Sequence, residues 1–203
     1  MEPNTLRSAH RRAVLVMAAA LAVLAGTVHV ALAADPASLD PMTAAETEIP
    51  DQMLWLPSRE GLPPSVTEGV PHIQQDQTSG PEVMEALATW AFSLPSVVEL
   101  PSAASLPGAR ALTLAEDLQA NDDAMIVGRE FAHIHANPGA GSLHLRLSVD
   151  EANDVLDAGW GVWHPFALDC SMPGLIMVYA PRDADDVEVI KLIVGASVEY
   201  AGG

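Results

Sequence analysis

The apolar positions of this chain fall into three regimes. Ala13–Ala25 is an unbroken apolar run. From Asp35 to Gly80 apolar residues are scattered among Pro, Ser, Thr, Asp and Gln. From Pro81 onward they recur with a regular period. In the middle regime prolines at 36, 41, 50, 57, 63, 64 and 71 forbid a continuous helix or central strand, because proline fixes φ and lacks the N–H. Its first part, to about Pro50, reads as a flexible tether. The second part, from Met53-Leu-Trp-Leu-Pro-Ser-Arg-Glu-Gly, has enough apolar content to pack as an arm docked by Arg59.

The third regime predicts alternating elements. Pro81 suits a first helical position, and Val83, Leu87 and Trp90 follow at helical spacing to about Phe92. Val97–Leu100 reads as a strand ended by Pro101. Thr113-Leu-Ala-Glu116 has the form of a capping box and predicts one helical turn. Ala124–Ala136 and Ser142–Ser148 read as a hairpin around the turn Asn137-Pro-Gly-Ala-Gly. Ser148-Val-Asp-Glu151 is a second capping box, opening a helix through Leu156 that stops at Gly159. Trp160–Ala167 and Leu175–Ala180 are further strands. Asp183 caps a last helix with Val187, Ile190, Val194 and Val198 as its apolar stripe. The fold class is α+β: an antiparallel sheet of about five strands with helices packed on one face. Residues 1–33 form a signal peptide or membrane anchor, 34–80 a Pro-rich linker and packed arm, and 81–203 the α+β domain.

Charge changes the picture at the N-terminus. Arg7, Arg11 and Arg12 precede the apolar run, and Ala31-Leu32-Ala33 has the small-x-small form of a cleavage site. The protein is therefore expected to be exported, periplasmic or secreted, or else held at a membrane by this segment alone. Residues 1–33 hold three of the nine basic residues and one of the 27 acidic ones. The remainder carries six against 26, a net charge near −20. Such a surface repels phosphate backbones and anionic lipid, so nucleic acid is not an expected partner. Cys170 is the only cysteine, which rules out an internal disulfide, and it reads as a small filler or exposed loop residue.

The candidate chemistry lies in residues 128–182. Four of the seven histidines, His133, His135, His144 and His164, fall there on segments read as strands. Strand side chains alternate faces, so Arg129, Phe131, His133 and His135 share one face, with Glu130, Ala132 and Ile134 on the other. His144, Arg146 and Ser148 form a similar row opposite Leu143, Leu145 and Leu147. The leucine row faces the helices, so the His/Arg row faces solvent or a pocket. A turn at Pro138-Gly139 places His133 opposite His144 and Phe131 opposite Arg146, with His164 approaching from the side.

Three readings of the row stand open. His133, His135 and His144 could ligate a divalent metal. They could instead do acid–base work, with Arg129 and Arg146 stabilising an oxyanion. They could also be a solvated face packed around Phe131. Trp160, Trp163, Tyr179 and Arg182 are candidates to bind a small-molecule substrate, with core packing (for the tryptophans) and an ion pair of Arg182 with Asp183 or Asp186 as the structural counterparts.

An ordered set of short motifs adds to this reading. Arg129-Glu130-x-Ala132-His133-x-His135, Leu143-His144-Leu145, Gly159-Trp160-Gly161, His164-Pro165, Tyr179-Ala180-Pro181-Arg182 and Val194-x-Ala196-Ser197 together resemble the fungal luciferase family. The arm carries matching patterns in Leu56-Pro57-x-Arg59-Glu60-Gly61, Pro64-Ser65-x-Thr67 and Ile73-Gln74, so the resemblance covers roughly residues 52–200. That family adds O2 to a hydroxypyrone, 3-hydroxyhispidin, and a peroxide then loses CO2 with light, without flavin or nucleotide. The resemblance implies a cofactor-independent oxygenase for a small enolisable or phenolic compound, with O2 as co-substrate. It implies His133 or His144 as base, His135 and His164 beside them, and Arg129 or Arg146 on the enolate. The loop from Pro165 to Gly174 and the turn Asn137–Gly141 depart from the family pattern. Loops set substrate choice, so a different small molecule is expected. An exported module that binds a metal or small ligand without turnover is the alternative.

Overall fold

A computed structural model of the chain describes residues 53–203. The expected signal or anchor segment and the tether to Pro50 lie outside the described residues, within which no helix is long and apolar enough to cross a membrane. Six strands form one antiparallel sheet: β1 (Val97–Pro101), β2 (Arg110–Leu114), β3 (Glu130–Ile134), β4 (Leu143–Arg146), β5 (Gly161–Trp163) and β6 (Leu175–Val178). Their spatial order is β1-β2-β3-β4-β6-β5. Four helices accompany them: α1 (Pro81–Ala91), α2 (Val149–Asp157), α3 (Pro165–Leu168) and α4 (Ala184–Ala201). The α+β class holds, with six strands instead of about five.

The leucine row builds the core as expected. Leu143, Leu145, Ile134 and Ile176 pack with Leu87 and Ala88 of α1 and with Ile190, Ile193 and Val194 of α4. Each fully buried aliphatic side chain stabilises the fold by about 1.5–3 kcal/mol. The caps predicted at Ser148 and Asp183 are present. Ser148 Oγ accepts the Glu151 N–H at 3.3 Å while Ser148 N–H donates to Glu151 Oε2 at 3.1 Å. Asp183 Oδ1 accepts the Asp186 N–H at 3.0 Å.

Three elements differ from the sequence reading. Thr113-Leu-Ala-Glu116 starts no helix, because Arg110–Leu114 is β2, paired on both sides and burying Ala111, Leu112 and Leu114. Two ladders of backbone hydrogen bonds override the local cap signal. The long strand expected over Ala124–Ala136 shortens to β3, preceded by a 3₁₀ turn at Asp122–Ala124. The strand expected over Trp160–Ala167 ends at Trp163. His164 instead caps α3, its Nδ1 accepting the Phe166 N–H at 3.1 Å, with Pro165 first in the helix.

The largest consequence comes from a β-bulge. Leu112 pairs with Ala132 and Thr113 with Glu130, so β3 holds one extra residue, Phe131, across that step. Alternation breaks there. Phe131 joins Ala132 and Ile134 in the core, and Glu130 turns to the histidine side. The expected placement of these two residues is reversed for this reason.

The arm packs on the domain through specific bonds. The Trp160 indole N–H donates to the Pro57 carbonyl at 2.6 Å, and Arg59 N–H to the Ala158 carbonyl at 2.8 Å. The Ala180 N–H donates to Gln74 Oε1 at 2.9 Å, and the Ser79 hydroxyl to the Pro181 carbonyl at 2.6 Å. The Arg59 guanidinium donates to Leu62 O and Gln77 Oε1 and lies over Tyr179, 5.4 Å from the ring centre. Gly141, at φ +87°, lets Ser79 close on the hairpin, where any Cβ would collide with the Ser79 side chain.

Candidate functional site

The hairpin register brings the histidines together as expected. His133 pairs with His144 across β3 and β4. The His133 and His144 ring centres are 5.1 Å apart, those of His135 and His144 4.6 Å, and those of His144 and His164 4.6 Å. A fifth ring, His72 of the arm, stacks on His144 at 5.4 Å and stands edge-on to His164 at 5.0 Å. Every histidine among the described residues belongs to this cluster, and all five are buried.

The rings sit at the floor of a pocket of about 350 Å³. His72, His135, His144 and His164 line it, with His133 beneath. Its walls are the arm at Val70–Ile73, the loop Ala104–Pro107, the turn at Asn137–Pro138, and Phe166 of α3. No acidic or basic side chain other than the imidazoles lines it; the walls are mostly apolar, with Ser105 and Asn137 as polar exceptions.

Hydrogen bonds fix the ring protons. Glu130 Oε1 lies 2.8 Å from His133 Nδ1, and the same carboxylate accepts from the Ser102 hydroxyl at 2.6 Å and the Ala103 N–H at 2.9 Å. A carboxylate only accepts, so His133 donates from Nδ1 and keeps a lone pair on Nε2 when uncharged. The Ser142 hydroxyl donates to the Gly139 carbonyl at 2.7 Å, so His135 Nδ1, at 2.9 Å from Ser142 Oγ, is the donor there. His135 Nε2 therefore also carries a lone pair. His144 stands between His133 Nε2, 3.2 Å from its Nδ1, and His72 Nδ1, 3.3 Å from its Nε2. His164 Nδ1 is taken by the Phe166 N–H, which leaves the proton on Nε2.

Burial favours the uncharged form of His72, His135, His144 and His164. It lowers the pKa of His72, pushes His135 down to about 3 with help from the neighbouring histidines, and holds His144 well below the usual imidazole value. His164 falls to about 4, again chiefly through burial. Burial alone would raise the Glu130 carboxyl, but hydrogen bonds from His133, Ser102 and Ala103 outweigh it and hold the pKa below its ordinary value.

The remaining expected site residues do not join the pocket. Arg129 donates to the carbonyls of Leu114, Ala115 and Leu118 at 2.9, 2.5 and 3.0 Å, which fastens the segment after β2. Arg146 is buried and donates to the Asp123 carbonyl. Neither guanidinium lines the pocket: the bulge that turns Glu130 inward also breaks the row that would have held Arg129, and Arg146 is drawn to the Asp123 carbonyl. Trp160 is a core residue tied to Pro57, and Trp163 packs against the same core. Tyr179 is buried under Arg59, and burial raises its pKa. Arg182 holds Asp186 at 2.6 Å and the Glu60 carbonyl at 2.7 Å. Cys170 is exposed.

Three residues of the site went unread in the sequence. Glu130 and Ser142 act through the rings they orient, and nothing in their spacing marks them. His72 lies in a Pro-rich stretch whose one signal was the adjacent Ile73-Gln74 pattern.

A family model described as the luciferase domain matches residues 128–197. The luciferase of Neonothopanus nambi is 34% identical over 88 residues, 41% of this chain and 32% of that protein. The luciferases of Armillaria gallica and Armillaria mellea are each 32% identical over 89 residues, 42% of this chain and 33% of theirs. The match thus spans about a third of the length of these relatives. No solved structure matches the chain at a significant level. Residues 128–197, which carry four of the five clustered histidines, are thus similar to the luciferase domain.

Proposed function

We propose that the domain is an oxygenase for a small enolisable or phenolic compound, with O2 as co-substrate and no flavin or nucleotide. The observation that carries this reading is a floor of imidazoles held uncharged by burial beneath a mostly apolar pocket. An uncharged imidazole accepts a proton from an enol or phenol, and the resulting anion is electron-rich enough to add O2. The His164 Nε2–H is the donor available to that anion, a role the sequence had suggested for the arginines. A mostly apolar wall without charged groups suits a flat, neutral substrate that is ionised only on the floor. The luciferase relatives support oxygen chemistry on a small molecule. Their longer chains and the divergent rim loops leave this protein its own substrate.

Oxygen uptake with a panel of hydroxypyrones and substituted phenols tests the reading. The expected result is uptake with at least one class, falling about 100-fold or more in His144→Ala, the size of a lost acid–base group. Full turnover in His133→Ala and His144→Ala, both folded, would remove the cluster from the chemistry.

A further inference from the structure

We propose that His133, His135 and His144 hold one divalent first-row transition-metal ion at the floor of the pocket. One ring nitrogen from each lies within 4.8 Å of those of the other two. His133 Nε2 and His144 Nδ1 are 3.2 Å apart. Two nitrogens bound at 2.0–2.1 Å on a tetrahedral ion sit about 3.3 Å apart.

The surroundings argue more strongly than the distances. A ligating imidazole donates its other N–H to a carboxylate, carbonyl or similar group, which fixes the ring and its tautomer. All three rings have such an outer partner. His133 Nδ1 faces Glu130, His135 Nδ1 faces Ser142, and His144 Nε2 faces His72. Two lone pairs, on His133 Nε2 and His135 Nε2, are thereby already directed to the ion. Loading asks only that His144 carry its proton on Nε2, toward His72, and present Nδ1.

A second trio, His72, His144 and His164, also comes close enough in space. It is the poorer site chemically. His164 Nδ1 accepts the Phe166 N–H, so its Nε2 keeps a proton and has no lone pair to give. The cluster therefore has an inner trio for the ion and an outer pair, His72 and His164, left to the pocket.

The donor set narrows the ion. Three imidazoles suit zinc, iron(II), cobalt(II), nickel(II) or copper(II), whereas magnesium and calcium take oxygen ligands. His135 and His144 line the pocket and His133 lies beneath them, so the unfilled coordination position opens towards the pocket. An open position is what separates a reactive metal site from a structural one. A substrate hydroxyl bound there would lose its proton more readily, which serves the oxygenase reading. Ion binding itself does not depend on that reading.

The test is titration of chelator-stripped protein with Zn2+ by calorimetry and with Co2+ by visible absorbance. One ion per chain is expected, with the cobalt bands of a nitrogen-ligated centre of low coordination number. His135→Ala should lose stoichiometric uptake, Glu130→Gln should bind about 10–100-fold more weakly, and His164→Ala should bind as the parent does. Melting curves of the metal-free variants report folding. Should His135→Ala fail to fold, the Glu130→Gln and His164→Ala arms decide. Absence of uptake by the parent overturns the site, as does uptake abolished by His164→Ala. Oxygen uptake is read separately: an ion bound without turnover on any probe overturns only the oxygenase reading. Turnover by a chain that takes up no ion overturns only the metal site.

Discussion

A buried histidine is costly when charged, and this domain buries five within a few ångströms of one another. His135 and His164 titrate at about 3 and about 4 in the fold, against roughly 6.5 in an unfolded chain. Below about pH 6.5 the unfolded chain therefore binds protons that the folded one refuses. Stability from these groups is complete above that pH and is lost as pH falls towards the folded values. Metal-free protein should unfold at lower urea at pH 5 than at pH 7, and His164→Gln should flatten the difference. A flat urea midpoint between those pH values in the parent would contradict the burial argument. The arginines make the opposite case. Arg129→Ala removes three hydrogen bonds to backbone carbonyls and should destabilise by about 2 kcal/mol, with kcat on any working substrate unchanged. Alternation along a single strand is readable from sequence and placed His133 against His144. It could not show that Arg129 points elsewhere, because that depends on a neighbouring strand.

At the scale of elements, what the sequence reveals divides by range. The capping box of α2 and the cap of α4 are bonds between residues three apart and are legible in sequence, whereas the box at Thr113–Glu116 loses to strand pairing. The bulge between β2 and β3 is a mismatch between segments some 20 residues apart, Leu112–Thr113 and Glu130–Ala132, so no local pattern announces it. It nevertheless decides the site, since it brings Glu130 to His133. The same limit hid β2, whose strand character comes from pairing on both sides. The hairpin turn sets a further test. Gly141 combines a left-handed backbone with contact to Ser79, so Gly141→Ala should cost about 2 kcal/mol or more in urea unfolding. It should also loosen the Ser79–Ala140 backbone bond, read as faster amide exchange at Ser79. Parent-like stability would mean that the arm shifts without cost.

On the scale of the described domain, one sheet serves two purposes. Its leucine face makes the core with α1 and α4. Its other face is closed off by the arm, the loop through Ala104–Pro107 and α3, which convert a polar strand face into a pocket. The cluster draws on four separate parts of the chain: His72 from the arm, His133 and His135 from β3 and its end, His144 from β4, and His164 from the cap of α3. The family match at residues 128–197 omits the arm, yet the arm supplies one of the five rings and a pocket wall. If the arm is part of the site, loosening it at a distance should be felt at His72. Arg59 is the residue to change, because its guanidinium ties Leu62, Gln77 and Tyr179, none of which lines the pocket. Arg59→Ala should lower stability by about 2 kcal/mol. Amide exchange should quicken at Thr67 and Gln75, whose N–H groups hold the arm's own turn. Acylation of His72 by diethyl pyrocarbonate should rise over that of His133, which lies beneath the floor. Equal modification of the two rings before and after the substitution would mean that the arm keeps its place without Arg59, and that the pocket wall is held by the Gln74 and Ser79 contacts alone.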